Sequence, residues 1–363
     1  MDELRYIAPT GMVGAGFQEV SLAAGAARRP AFIGCDAGST DAGPFQLGSG
    51  EGIFSRESCK RDLALCLRTS RGLGIPLLVG SCGGAGTDKG VDLFTELIAE
   101  IAHEHSLSFR LALVYAEPDR QWLRQRLRDG RVHPLIGAPP IDEHTIDQAA
   151  HVVAMMGAEP FAHEVEQGAD VVLAGRSSDT SIFSAIPEQR GFDPGLVWHA
   201  AKIMECGSAA AAIRNGQDCM LCILDEDHFV VEPLNPDFVC TPGSVAAHSL
   251  YENADPFRLV EPAGTLDTSD ASYTAVDDRR VRVSVSRFVP APQYTVKLEA
   301  AELAGYQSIT MGGVRDPVIL RQLDDWLLSM RRSVEARIEA SVGLTGDQYV
   351  LGIRAYGRDG TLG

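Results

Sequence analysis

The sequence predicts an α/β protein: a mostly parallel sheet with helices on both faces over residues 1–217, joined to an α+β domain over residues 218–363. Three observations lead there. Short apolar runs alternate with stretches of helical periodicity as far as Arg214, the pattern of strands joined by crossover helices. Three of those runs end in polar, glycine-rich loops at 34–50, 80–88 and 175–181, which a parallel sheet gathers at one edge, at the strand C-termini. From Asp218 the period changes to two, clearest from Val281 to Phe288, as expected of half-buried strands.

Residues 4–8 form the first run and lead into Gly11-Met12-Val13-Gly14-Ala15-Gly16. This is GxxGxG and not the GxGxxG of a dinucleotide fold, so NAD is not expected, although the loop is placed to bend over a ligand from a neighbouring strand. Ala31 to Ile33 opens the second strand and enters IGCDAGSTDAGPFQLGSG, residues 33–50. Glycines at this density cost backbone entropy and serve where the chain needs positive φ or a close approach. Asp36, Ser39, Thr40 and Asp41 supply the small hydroxyls and carboxylates that a metal, phosphate or organic acid site uses. The same residues also fit a tight connection that caps its own backbone.

A helix is expected over 56–71, a buried strand over 75–79, and then Gly80-Ser81-Cys82-Gly83-Gly84-Ala85-Gly86-Thr87-Asp88 opening a helix to Glu104. A strand-to-helix turn of this kind presents N–H groups and the positive end of a helix dipole, which suits an anion; a plain turn with Thr87 or Asp88 as N-cap is the alternative. Residues 109–115 read as a central parallel strand because they are almost continuously apolar. A helix at 122–127, a strand within 133–140, a helix over 144–166 and a strand over 169–174 follow. The last ends in Gly175-Arg176-Ser177-Ser178-Asp179-Thr180-Ser181, where Arg176 suits a carboxylate or phosphate and equally a structural pair with Asp179. A helix over 196–214, strands at 219–224, 271–276, 280–289, 293–299 and 305–311, a helix over 316–341 and a strand at 349–356 complete the chain.

The chain has 363 residues, 45% of them hydrophobic, and a formal net charge of −17. It can therefore bury large cores, and its charge argues against nucleic acid or an anionic membrane surface as a partner. No apolar run approaches the length of a membrane span and no signal peptide is evident, so a cytoplasmic protein is expected. The eight cysteines sit largely in apolar surroundings and read as reduced core thiols. Cys219 and Cys222 form a CxxC, but on a strand they would point to opposite faces. The histidines make no metal signature, and no GxSxG elbow occurs.

Three stretches taken together, IGCDAGSTDAGPFQLGSG, GSCGGAG and GADVVLAGRSSDTSIF followed by MECG, resemble the acyclic terpene utilisation A (AtuA) family, and the likeness extends to MGGVRDPVIL and YVLGIRAYGRDGTLG. Family members continue beyond the point where this sequence stops, which implies a further segment supplied by the same or another polypeptide. The resemblance implies a component of catabolism of branched acyl thioesters and small organic acids, with a lyase, hydratase or isomerase activity. It points at Asp36, Gly38, Ser39, Asp41 and Gly43 in the first loop, Gly83 and Gly84 in the second, and Arg176 and Asp179 in the third. With Thr40 and Ser81 added from the loops themselves, Asp36, Asp41 and Asp179 are the expected catalytic carboxylates and Ser39, Thr40, Ser81, Gly83, Gly84 and Arg176 the expected substrate-binding groups. Within that range, Asp36 or Asp41 would take a proton beside a carbonyl, Arg176 would hold a carboxylate, and the Gly83 and Gly84 N–H groups would steady an enolate oxygen. A divalent metal between Asp36, Asp41 and Asp179 stays open, as does a CoA thioester as substrate. The alternative is a non-catalytic acyl- or carboxylate-binding subunit that acts only with a partner. A homo-oligomer is expected on general grounds.

Overall fold

The computed structural model describes residues 3–41, 43–250 and 254–357. Its strands are β1 (Leu4–Ala8), β2 (Phe32–Asp36), β3 (Leu77–Gly80), β4 (Leu111–Val114), β5 (Ala149–Met155), β6 (Val171–Ala174), β7 (Met220–Leu224), β8 (His228–Pro233), β9 (Arg258–Glu261), β10 (Gly264–Asp267), β11 (Ser272–Ala275), β12 (Val281–Ser284), β13 (Arg287–Pro290) and β14 (Lys297–Glu302). The main sheet runs β11-β12-β8-β7-β1-β2-β3-β6-β4. Its β1, β2, β3, β6 and β4 are parallel, whereas β7, β8, β12 and β11 extend it antiparallel from β1. Two small sheets stand apart, β13-β10-β9 and β14-β5.

The helices are α1 (Glu19–Ala26), α2 (Phe45–Ser49), α3 (Arg56–Leu73), α4 (Asp88–His105), α5 (Arg120–Arg128), α6 (Glu143–Gln148), α7 (Glu159–Glu166), α8 (Asp179–Gln189), α9 (Pro194–Met204), α10 (Pro242–Ser249), α11 (Pro317–Arg321) and α12 (Leu323–Val342). Their sequences explain their limits. Ser55 and Thr87 cap α3 and α4 by accepting from the N–H groups of Ser58 and Gly90, and Gly74 ends α3 in the left-handed region. Along α4 the residues Val91, Phe94, Leu97, Ile98 and Ile101 repeat at helical spacing and are buried.

Strand alternation divides the core between the two faces of the sheet. Tyr6, Phe32, Leu78 and Val172 join α8 and α9 in one cluster; Ile7, Ile33, Val79 and Leu173 join α3 and α4 in the other. Cys222 falls in the first and Cys219 in the second, the opposed placement their spacing predicts. All eight cysteines are free thiols. No helix among the described residues is long and apolar enough to cross a membrane.

Several expectations are corrected. The main sheet passes through residue 217 without a break, because β7 pairs with β1 over five register positions; the change in packing falls between a unit of residues 1–303 and one of 304–363. The helix read over 144–166 is interrupted by β5, whose apolar His151-Val152-Val153-Ala154-Met155 finds a partner in β14. β4 lies at the edge of the sheet and not at its centre, with Leu111 and Leu113 about one-third exposed (36% and 37%). No strand forms within 133–140, 305–311 or 349–356. Residues 358–363 of the YVLGIRAYGRDGTLG stretch lie outside the described residues.

The three glycine-rich loops pack against one another, backbone on backbone. A Cβ on Gly38 would stand 1.6 Å from the Gly84 carbonyl oxygen, one on Gly86 2.3 Å from the Arg176 nitrogen, and one on Gly80 2.4 Å from Ser177 Oγ. Gly38→Ala is therefore expected to cost about 3 kcal/mol or more, the upper range for overpacking. Gly72→Ala, on α3 where a Cβ meets nothing within 4 Å, should be neutral or slightly stabilising. Urea denaturation of the two variants checks this, and an unchanged midpoint for Gly38→Ala would mean that the loops stand further apart than described.

Candidate functional site

Asp36 ends β2 and pairs in register with Gly80 at the end of β3. Alternation puts Asp36 on the face of Phe32 and Gly34, and a Cβ on Gly34 would point at Phe183 and Ile182 of α8. Gly80 points the same way, with Ser177 Oγ and Ile182 where its side chain would be. The missing side chain at Gly80 thus lets Ser177 and Ile182 pack directly on the strand end beneath the first turn of α8. Around it lie buried oxygens with no hydrogen-bond partner: Asp36 Oδ1, Asp179 Oδ1, Ser177 Oγ and Ser181 Oγ. Asp36, Ser177 and Ser181 are at most 3% exposed, so each leaves a polar atom unsatisfied at a real cost.

Arg176 stands beside them, 5% exposed. Its Nε donates to Glu299 Oε2 at 2.9 Å, Nη1 to Ser81 Oγ at 3.3 Å and Nη2 to Thr40 Oγ1 at 3.4 Å. Asp179 Oδ1 lies 3.6 Å from Nη1, an ion pair longer than a hydrogen bond. Burial works against the guanidinium charge, but Asp179, Glu299 and Asp36 outweigh it and raise the pKa of Arg176. Burial in turn pushes the Asp36 carboxyl well above the carboxylate range, and the neighbouring Asp179 adds to this, with Arg176 opposing. Asp179 is raised as well, by burial first, with Arg176 and Lys202 opposing.

A second layer supports the first turn of α8. Glu261 at the end of β9 accepts from Ser178 Oγ at 2.6 Å and from Thr180 Oγ1 at 2.5 Å. The hydroxyl of Ser178, the N-cap residue, is spent there and does not cap α8. On α9, Lys202 Nζ donates to Glu205 Oε1 at 2.5 Å, both side chains being 5–6% exposed. Burial raises Glu205 to about 8 and Glu261 to about 7, against the pull of Lys202 on the first and of the two hydroxyls on the second; Asp179 raises both further. Glu205 is held at the end of β1 by contact of its two following residues with Thr10 and Gly11, where Cβ atoms on Gly207 and Gly11 would lie 2.7 Å from backbone atoms.

The structure therefore brings together Asp36, Asp179, Ser81, Arg176 and Thr40, from all three loops. Asp41 is exposed at the rim, close enough that its charge raises Asp179. Ser39 turns back on its own loop, its Oγ accepting from the Asp41 N–H at 3.1 Å. Gly84 is corrected: its N–H donates to the Ala37 carbonyl at 3.1 Å and is not available to an enolate oxygen. Within the expected anion seat at 80–88 the Ser81 and Cys82 N–H groups are likewise engaged, donating to Gly175 and Ala174, and just beyond it that of Gly90 donates to Thr87. Gly83, at φ 76°, lets the loop lie against Gly90. The Gly14 and Gly16 N–H groups both donate to Asp62 Oδ2 at 2.9 Å, so a carboxylate of the chain itself fills the nest of that glycine loop. Among the described residues no three His, Cys, Asp or Glu side chains gather as metal ligands, so Asp36, Asp41 and Asp179 do not form such a set.

Glu261, Lys202 and Glu299 went unsingled by sequence reasoning. They come from strands and a helix distant in sequence, and nothing in KLEAAE or RLVE marks a charge for burial. Glu205 had a signal, in the MECG stretch.

The raised carboxyls make stability fall as pH rises. Each binds a proton in the folded chain that it has lost in the unfolded one, so its contribution is complete below the ordinary value of 4.5 and is lost through about 7 for Glu261. Glu261→Gln keeps an acceptor for the hydroxyls and should flatten the fall between pH 5 and 7.5, by roughly 3 kcal/mol. Denaturation curves of both proteins across that range check it, and parallel pH profiles would refute it.

Neither a curated protein nor a solved structure matches the chain. The profile described as acyclic terpene utilisation family protein AtuA matches residues 58–188 and 227–344. Those segments hold Ser81, Gly83, Gly84, Arg176, Asp179, Glu261 and Glu299; Asp36, Ser39, Thr40, Asp41, Lys202 and Glu205 lie outside them. The match spans well over half of the sequence, and the chain belongs to the acyclic terpene utilisation (AtuA) family.

Proposed function

We propose that the chain is a catabolic enzyme with a lyase- or hydratase-type activity on a small carboxylic acid or its CoA thioester, working in the cytoplasm. One observation carries this: a fully buried carboxyl, Asp36, keeps an unpartnered oxygen beside a buried cation and beneath a helix N-terminus. A carboxyl whose hold on a proton is strengthened by burial is, when ionised, a stronger base, and it can return the proton it takes. Arg176 would hold the carboxylate of the substrate. Asp36 would take the proton from the carbon beside the carbonyl, the C–H electron pair passing to the carbonyl oxygen. That pair would then expel hydroxide or an amine from the next carbon, Asp179 returning a proton to the leaving group. The enolate oxygen would face the uncapped first turn of α8, whose partial positive charge suits it.

A second reading, a non-catalytic acyl- or carboxylate-binding subunit that acts only with a partner protein, is favoured by another observation. None of the described residues 304–357 is buried, and Tyr306, Ile309, Met311 and Val350 are 76–99% exposed, an apolar surface of the kind that partners cover.

The test is deuterium uptake from D2O into a panel of small carboxylic acids and CoA thioesters, followed by NMR with the purified chain. At least one compound should exchange, and Asp36→Asn should slow it by about a hundredfold or more, with Asp41→Asn affecting it less. Exchange undiminished in Asp36→Asn would discard the mechanism; exchange that appears only when a second protein is added to the purified chain would favour the second reading.

A further inference from the structure

Arg176 is already engaged by a carboxylate. Glu299 is held between two cations, Oε2 accepting from Arg176 Nε at 2.9 Å and Oε1 lying 2.9 Å from Lys297 Nζ. Exposure falls along this row, from 39% for the Lys297 side chain to 13% for Glu299 and 6% for Arg176. The row leads from solvent to Arg176, beside the buried Asp36 and the partly exposed Asp179. Burial works against the Glu299 charge, yet Arg176 and Lys297 hold its carboxyl below the ordinary range, so this is a place that stabilises a carboxylate in a largely dry setting.

Glu299 is carried by β14, which lies outside the main sheet. β14 pairs only with β5 in a two-stranded sheet, and its ladder slips register between Ala301 and Glu302. Beneath it lies a small apolar cluster of Leu47, Ala85, Val153 and Ala301. A two-stranded sheet depends on what packs against it, here α2 and that small cluster, and lids are drawn from the less stable elements of a fold.

We propose that Arg176 and Lys297 form a carboxylate-binding subsite that Glu299 occupies in the unliganded chain, so that a ligand carboxylate enters by displacing Glu299 and β14 swings aside as a latch. This rests on the reading of the site as one for a small carboxylic acid, but it does not depend on proton transfer at Asp36. Exchanging one carboxylate for another leaves both cations paired, so no buried charge is stranded. The internal carboxylate lowers apparent affinity in proportion to the time it occupies the subsite.

The test is calorimetric titration of the full chain with malonate, succinate and citrate, with acetate for comparison. Glu299→Gln should bind at least one of the first three about tenfold more tightly than the native chain, and Lys297→Gln should weaken that gain. In the native chain, saturation with the same acid should speed hydrogen exchange at the backbone amides of 297–302. Equal or weaker binding by a folded Glu299→Gln, or no binding of any of these acids, overturns the proposal. If Glu299→Gln fails to fold, Glu299→Asp, whose shorter side chain withdraws from Arg176, decides by the same criterion together with hydrogen exchange in the native chain. The two readings separate when the binding and exchange measurements are combined. Tighter binding on removing Glu299 without deuterium exchange in any substrate would sink the enzymatic function alone, and exchange with no effect of Glu299 would sink the latch alone.

Discussion

The close approach of three backbones is the constraint on which the site depends. Gly38 lies on Gly84, Gly86 on Arg176 and Gly80 under Ser177, each so near that a single added carbon would collide. With no side chains between them, the ends of β2, β3 and β6 draw together. The polar groups that follow those ends are then confined to the small space under the first turn of α8. The glycines act on one another rather than on a ligand, and the ligand-directed work falls to the side chains they bring together.

What gathers there is charge with little water. Arg176 and Lys202 stand among Asp36, Asp179, Glu205, Glu261 and Glu299, and burial raises four of the five carboxyls. A buried carboxylate needs a cation or donors at hand, and burial shifts these four toward their protonated forms against the cations and hydroxyls beside them. Glu299 is the exception, being placed between Arg176 and Lys297. The same balance of charge and burial makes the Arg176 pairing the point at which an incoming acid must compete.

Other glycine-rich and charged features serve the frame. Asp62 binds the Gly14 and Gly16 N–H groups, and the fully buried Asp218 accepts from Gln18, Ser21, Cys219 and Asn235, tying the loop before α1 to β7. His199 is also internal: Ser286 meets its Nδ1, and Ser249 and Tyr273 meet its Nε2. Burial lowers it to about 3, which keeps it neutral within the core.

The sequence by itself determined the parallel sheet, its helices on two faces and the convergence of three polar loops, because strand and helix periods and glycine-rich strand ends are local signals. Asp36, Arg176 and Asp179 were legible for that reason. Tertiary structure decided the rest. β5 was hidden inside an apparent helix because its partner, β14, lies more than 140 residues further along the chain. The sheet's continuation past residue 217 depends on the β1–β7 pairing, which no local pattern encodes. Lys202, Glu261 and Glu299 look like ordinary surface charges in the sequence; only folding buries them, and burial is what gives their charges chemical meaning.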